Sequence, residues 1–173
     1  MSAYFKIGKI IAAHGLEGDV ILQHSLGKKT SLKGIEAIFI EDRKDSFLPY
    51  FVLLTKIKND EEIYLRLEEI NTRETALKLI RKEIWLKEED FKQYASTSAS
   101  ISLLGFQMID KGVNLGKIEE IIDQPHQILC KIWQGANEIL IPLHEQTLEK
   151  IDRKNRTVYV NLPDGLLDIY RKD

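Results

Sequence analysis

The side chains able to do chemistry are few, and their spacing does not suit it. Four histidines, His14, His24, His126 and His144, are scattered along the chain. No two of them stand at the i, i+4 spacing that sets two imidazoles around a metal on one helix face. The single cysteine, Cys130, excludes a Cys-based zinc site and an internal disulfide. It lies in the apolar run Ile128-Leu129-Cys130-Lys131-Ile132-Trp133 and reads as a buried strand thiol. His14 and Asp19 could meet in space at a metal, although such residues more often serve turns and surfaces. There is no Gly-x-Ser-x-Gly elbow, no phosphate-cradling Gly-x-x-x-x-Gly-Lys loop and no dinucleotide fingerprint. Glu61-Glu62, Glu68-Glu69 and Glu119-Glu120 flank apolar runs, where solvated strand edges account for paired carboxylates. These residues predict a chain without catalytic residues, metal or cofactor. Binding is the better reading.

The elements that would position a binding surface begin at Ile7. The chain is largely apolar from there to Ala13, breaks at Gly15 and Gly18, and is apolar again through Val20, Ile21 and Leu22. That pattern predicts two short strands joined by a tight connection. The glycines suit backbone at positive φ or in close approach. His14 and Glu17 would project from the bend. A tight turn alone explains both glycines, and a contact surface carried on a rigid hairpin explains them equally well.

Further strands are predicted at 35–40, 50–54, 63–67 and 84–86, which would close a first small barrel. One segment breaks that rhythm. Asn71-Thr72-Arg73-Glu74 resembles a capping box, and Ala76, Leu77 and Ile80 follow at helical spacing. A helix of about two to three turns is expected, its apolar stripe buried at one mouth of the barrel. A charged stretch from Lys87 and the small polar run Ala95-Ser96-Thr97-Ser98-Ala99-Ser100 then read as a linker. Serines in such a run are poorly placed to act as nucleophiles. Five apolar runs at 106–109, 117–122, 127–133, 138–143 and 157–162 predict a second all-β barrel or sandwich. The fold class is therefore mainly β: two small β-barrels joined by a short linker, with one short helix in the first domain. The expected boundaries are 1–92, 93–100 and 101–173.

Charge narrows the partners. The 173-residue chain has a formal net charge of −2. Residues 1–92 hold 16 Lys/Arg against 16 Asp/Glu, and residues 93–173 hold 9 against 11. A chain that coats nucleic acid should be clearly basic, so any RNA contact must come from local patches or lean on a protein partner. The amino end lacks the apolar core of a signal peptide, and no window has the roughly 18 apolar residues of a membrane span. With one cysteine, these features predict a cytoplasmic protein that does not enter a membrane.

Two sets of residues carry a family resemblance. Gly8-Lys9-Ile10 followed by His14-Gly15-Leu16-Glu17-Gly18-Asp19-Val20 is similar to the amino-terminal signature of the RimM family of bacterial ribosome maturation factors. The second half resembles the PRC-barrel domain that completes that family. It does so through Leu103-Leu104-Gly105, Leu115-Gly116, Ile139-Leu140-Ile141-Pro142, Asp152 and Leu162-Pro163-Asp164-Gly165-Leu166-Leu167. The likeness is collinear over nearly the whole chain. It implies a non-enzymatic assembly factor for the small ribosomal subunit, aiding late maturation of its head and processing of its rRNA. The implied partners are the small subunit and ribosomal protein S-nineteen of its head, with secondary contacts to rRNA. The protein is expected to be a monomer.

The chain departs from many relatives at two places. Glu17 stands where a basic residue is common, which removes a phosphate contact at that position. Ser98-Ala99-Ser100-Ile101 stands where adjacent aromatics are common, so that contact does not carry over: either Phe106 or Tyr170 replaces it, or it is weaker here. Phe106 and Trp133 have apolar strand neighbours and read as core. The candidate partner or RNA-binding residues are therefore His14, Gly15, Leu16, Gly18, Lys28, Lys29, Arg153, Lys154, Arg156, Phe106 and Tyr170. Lys28 and Lys29, and the cluster Arg153, Lys154 and Arg156, could meet phosphates or merely keep their loops solvated. The rival class is a ligand-sensing or protein-interaction PRC-barrel module unrelated to ribosomes.

Overall fold

The computed structural model describes residues 3–97 and 99–170. The chain divides after Ala99 into two compact units. In the first, six strands form a closed barrel: β1 (Tyr4–His14), β2 (Asp19–His24), β3 (Ala37–Arg43), β4 (Ser46–Ile57), β5 (Glu62–Leu67) and β6 (Glu83–Lys87). Their order is β1-β2-β5-β4-β3-β6, and every neighbouring pair is antiparallel. Ring closure removes the exposed edges that an open sheet would present.

The period of two along each strand decides what is buried. Ile63, Leu65 and Leu67 alternate on β5 and are all buried, as their spacing predicts. On β2 the alternating set is Val20, Leu22 and His24, so a histidine occupies a core position. The connection 25–36, polar on its face, turns Leu26, Leu32 and Ile35 inward and leaves Lys28 and Lys29 exposed.

The helices differ from expectation. Helix α1 spans only Arg73–Leu77, and Thr72 caps it in a reciprocal box with Thr75. Two threonine hydroxyls thus do the work expected of Asn71 and Glu74. Ala76 and Leu79 are buried where α1 meets β1 and β2, and Leu77 is exposed. A second helix, α2 (Glu88–Tyr94), occupies the start of the stretch read as linker. Glu88, Glu89 and Asp90 in its first turn favour the positive end of the helix dipole. It buries Phe91 edge-on against Phe5 with ring centroids 4.9 Å apart, and Tyr94 donates to the Lys33 carbonyl at 2.7 Å. Tyr94 and Ala95 therefore pack on the first barrel rather than tether it, with Ser96 N–H bonded to the Leu26 carbonyl. Ser98, within the expected linker, lies outside the described residues.

The second unit is one six-stranded sheet ordered β10-β9-β8-β7-β12-β11. Its strands are β7 (Gln107–Asp110), β8 (Val113–Gln124), β9 (Gln127–Gln134), β10 (Asn137–Leu143), β11 (Leu148–Asp152) and β12 (Thr157–Val160). All pairs are antiparallel except β12 with β7. Strand β11 was not expected. Its sequence Leu-Glu-Lys-Ile-Asp alternates poorly, and none of its residues is fully buried.

Candidate functional site

The bend His14–Gly18 is an exposed turn held at several points. Its two strands pair up to His14↔Asp19, which leaves four residues to turn. Gly15 has φ +68° in open space. Gly18, at φ +94°, sits so close to the backbone of Ile70 that a Cβ would strike the Ile70 carbonyl oxygen. Three further restraints hold the loop from outside. Arg66 on β5 donates from Nε and Nη2 to both carboxylate oxygens of Asp19, at 2.8 and 3.2 Å. The same Nη2 reaches Glu17 at 3.0 Å, and Arg73 of α1 donates to the Gly15 carbonyl at 3.0 Å. Hydrogen bonding and charge from Asp19, then Glu17, push the Arg66 pKa up. A planar guanidinium satisfying two carboxylates fixes geometry more than it adds stability at such an exposed place.

The loop presents an apolar side chain beside a charged one that Arg66 already holds. Leu16 is 80% exposed at its tip, while His14 lies with its ring centroid 4.6 Å from that of Tyr64. Arg66 and Arg73 are the residues that sequence reasoning missed here. A basic residue alternating with Ile63, Leu65 and Leu67 on β5 marks the strand's outer face, and that was the available signal. Glu17 carries the carboxylate that Arg66 binds, so this tip offers no cation to a phosphate.

The other candidates lie on other elements, each described within its own unit. Lys28 and Lys29 are exposed on the connection 25–36. In the second unit, Arg153 donates to Ser102 Oγ at 3.1 Å. Arg156 donates to the Leu104 carbonyl at 3.4 Å and lies 5.6 Å over the Phe106 ring. Two of the three cations in that cluster thus brace the turn against the start of the domain, and Lys154 is exposed. Asn155 bonds hold the Asp152 carboxyl below its usual range and close the same turn.

Phe106 is only 6% exposed, so it stands in the core. The Tyr170 hydroxyl donates to the Leu140 carbonyl at 3.2 Å, on the open side of edge strand β10. Thr147 caps the Pro142 carbonyl on the same edge at 2.8 Å. Tyr170 is thus a strut for the end of the chain. Trp133, read as core, is instead 44% exposed, because Cys130 and Ile132 take the inward positions of β9 and turn Lys131 and Trp133 outward. Burial pushes the Cys130 thiol up to about 12, which leaves it unreactive near neutrality. Among the described residues no group of three or more His, Cys, Asp or Glu side chains is placed to hold a metal ion, and no helix is long and apolar enough to cross a membrane.

Comparison with known proteins agrees with this two-part architecture. Residues 5–91 match the RimM N-terminal domain, and residues 100–166 match the RimM PRC barrel domain. The ribosome maturation factor RimM of Christiangramia forsetii is 29% identical over 168 residues, covering 96% of this chain and 95% of its own. That of Flavobacterium johnsoniae is also 29% identical over 168 residues, covering 96% of each. The chain is also similar to the crystal structure of a 16S ribosomal RNA processing protein RimM from Pseudomonas aeruginosa, at 18% identity and a TM-score of 0.42, covering 93% of this chain and 98% of that one. Matched in order by both domains of one family, the first of them alone spanning half its length, the chain belongs to the RimM family.

Proposed function

We propose that this chain is a non-enzymatic assembly factor for the small ribosomal subunit. It aids late maturation of the head and processing of small-subunit rRNA, and it works in the cytoplasm as a monomer without cofactor. The observation that carries this reading is the pair of domain matches, supported by relatives that bear the name ribosome maturation factor over nearly their full length.

The second unit would hold ribosomal protein S-nineteen of the head, and the first would add contacts to the immature subunit, the one to rRNA being secondary. Two folded units on one chain raise each other's effective concentration once either has bound. A binder that prefers an immature conformation shifts the particle's population toward the productive route. It leaves when the finished head no longer offers that surface.

The test is co-sedimentation of the purified chain with free small subunits, with whole ribosomes and with immature subunits. The expected result is binding to small subunits that is strongest for the immature form, together with capture of isolated S-nineteen by the full chain. Equal binding to whole ribosomes, or cleavage of precursor rRNA by the protein alone, would overturn the reading.

A further inference from the structure

The apolar loop tip is one part of a larger surface. Four exposed leucines, Leu16, Leu53, Leu54 and Leu77, are 80, 57, 58 and 48% exposed. Hydrogen bonds and strand register tie their neighbours together. Leu16 lies between Gly15, whose carbonyl takes the Arg73 bond, and Glu17, whose carboxylate takes the Arg66 bond. Arg66 is the direct cross-strand partner of Leu54. Leu77 stands one helical turn from Arg73, on the same side of α1. The bulge between Val52 and Leu54 on β4 explains the pair of adjacent leucines: an extra residue breaks the alternation, so both Leu53 and Leu54 face solvent. Phe51 extends the surface at 45% exposed, its carbonyl accepting the N–H of Glu68 at 2.8 Å. Exposed apolar side chains gathered around Arg66 and Arg73 in this way mark a place where another molecule binds.

Charge selects the occupant. Glu17 and Asp19 flank Leu16, Glu68 and Glu69 follow the strand beside Phe51, and Glu74 opens α1. Arg66 and Arg73 are turned onto the loop itself, while Lys56 follows Leu54 by two residues and Lys78 follows Leu77 directly. Carboxylates next to the exposed tip repel phosphate, and Phe51 is the single aromatic ring among these leucines, too little to stack successive bases. We infer that this face docks a basic polypeptide segment, one that sets an apolar side chain on Leu16, Leu53 and Leu54 and directs its lysines or arginines to the surrounding carboxylates. The inference rests on the chain binding immature small subunits, and it assigns the first barrel a protein contact where RNA would be the other occupant.

The experiment uses the full chain with photo-leucine at position 16, bound to purified small subunits and irradiated. The expected product is a covalent adduct to a lysine- and arginine-rich segment of a ribosomal protein, mapped by mass spectrometry. Leu16→Ser and Leu54→Ser, both at exposed positions, should each weaken binding about tenfold, the share expected when one leucine side chain is left in water. Glu68→Lys should weaken it too. An adduct to rRNA or to an uncharged segment, or tighter binding by Glu68→Lys, overturns the inference. So does firm binding of the particle with no adduct, which leaves the proposed function standing. Absence of any binding to small subunits removes both.

Discussion

Replacing Gly18 with alanine should cost far more than the same change at Gly15, although the two stand three residues apart in one turn. Both have positive φ, +68° and +94°, so either alanine must accept a left-handed backbone at about 1–2 kcal/mol. At Gly15 that is all, because nothing lies within 4 Å of the new methyl group. At Gly18 the methyl also meets the Ile70 carbonyl oxygen and crowds Thr72 N at 3.0 Å. Both belong to backbone, fixed by the Ile70 N–H bond to Leu67 and by the α1 cap, so neither can swing away. The hairpin must separate from α1, with a further loss of about 2 kcal/mol from overpacking. At about 4–8 °C per kcal/mol for a unit of this size, Gly15→Ala should lower the first unfolding transition by roughly 4–16 °C. Gly18→Ala should lower it by about two to three times that. Differential scanning calorimetry of the two variants and the parent decides the matter. Equal shifts would mean that the approach to Ile70 does not constrain the loop, and the rigid-tip account would fall with it.

Other outcomes follow from single residues. Burial holds the His24 pKa below its ordinary value, and Nδ1 already accepts the Leu26 N–H at 3.2 Å. The unfolded chain therefore takes up a proton near pH 6.5 that the folded chain refuses, and stability should fall as pH drops below about 6.5 with a slope of at most about 1.4 kcal/mol per unit. Urea titrations at pH 7.5 and 5.5 should show this for the parent, and His24→Gln should flatten it. Cys130, buried with its thiol at about 12, should resist a thiol reagent at pH 8 until the chain is unfolded, as a colorimetric thiol assay reads directly. Trp133→Ser should change stability by less than about 1 kcal/mol, since the ring is half in water, whereas Phe106→Ala should cost about 3–5 kcal/mol. Denaturant midpoints of the two variants would expose the error if the order were reversed.

Legibility varied with the kind of signal. The first hairpin and β5 were plain because alternation and paired glycines are local, and local patterns survive folding. Helix α1 was visible but overlong, since the cap could be read from Asn71 with Glu74 while the folded chain uses Thr72 with Thr75. Helix α2 was hidden for a different reason. A run of Lys, Glu and Asp looks like solvent-exposed linker until Phe91 and Tyr94 find Phe5 and the Lys33 carbonyl, which are far away in sequence. The basic cluster at 153–156 shows the converse. Its composition suggested a binding patch, and only the fold reveals that Arg153 and Arg156 are held by Ser102 and Leu104. Trp133 could have been placed outside the core, because Lys131 shares its strand face and Cys130 and Ile132 share the other.

Why the exposed leucines are tolerated can be argued from the same geometry. An apolar tip on a floppy loop would fold back onto its own barrel or cluster with other chains. Here Gly18 is pressed to the Ile70 backbone, Arg66 grips both carboxylates, and Arg73 holds the Gly15 carbonyl, so Leu16 cannot reach inward. The two leucines on β4 are likewise fixed outward by a bulge in a closed barrel, a defect that a partnerless strand would have no reason to keep. The ordering entropy of this surface is already spent in folding, so a partner meets it preformed and loses less freedom on binding. The carboxylates around it serve the same end from the other side, since they discourage association between copies of a chain whose net charge is only −2 while remaining open to a basic segment.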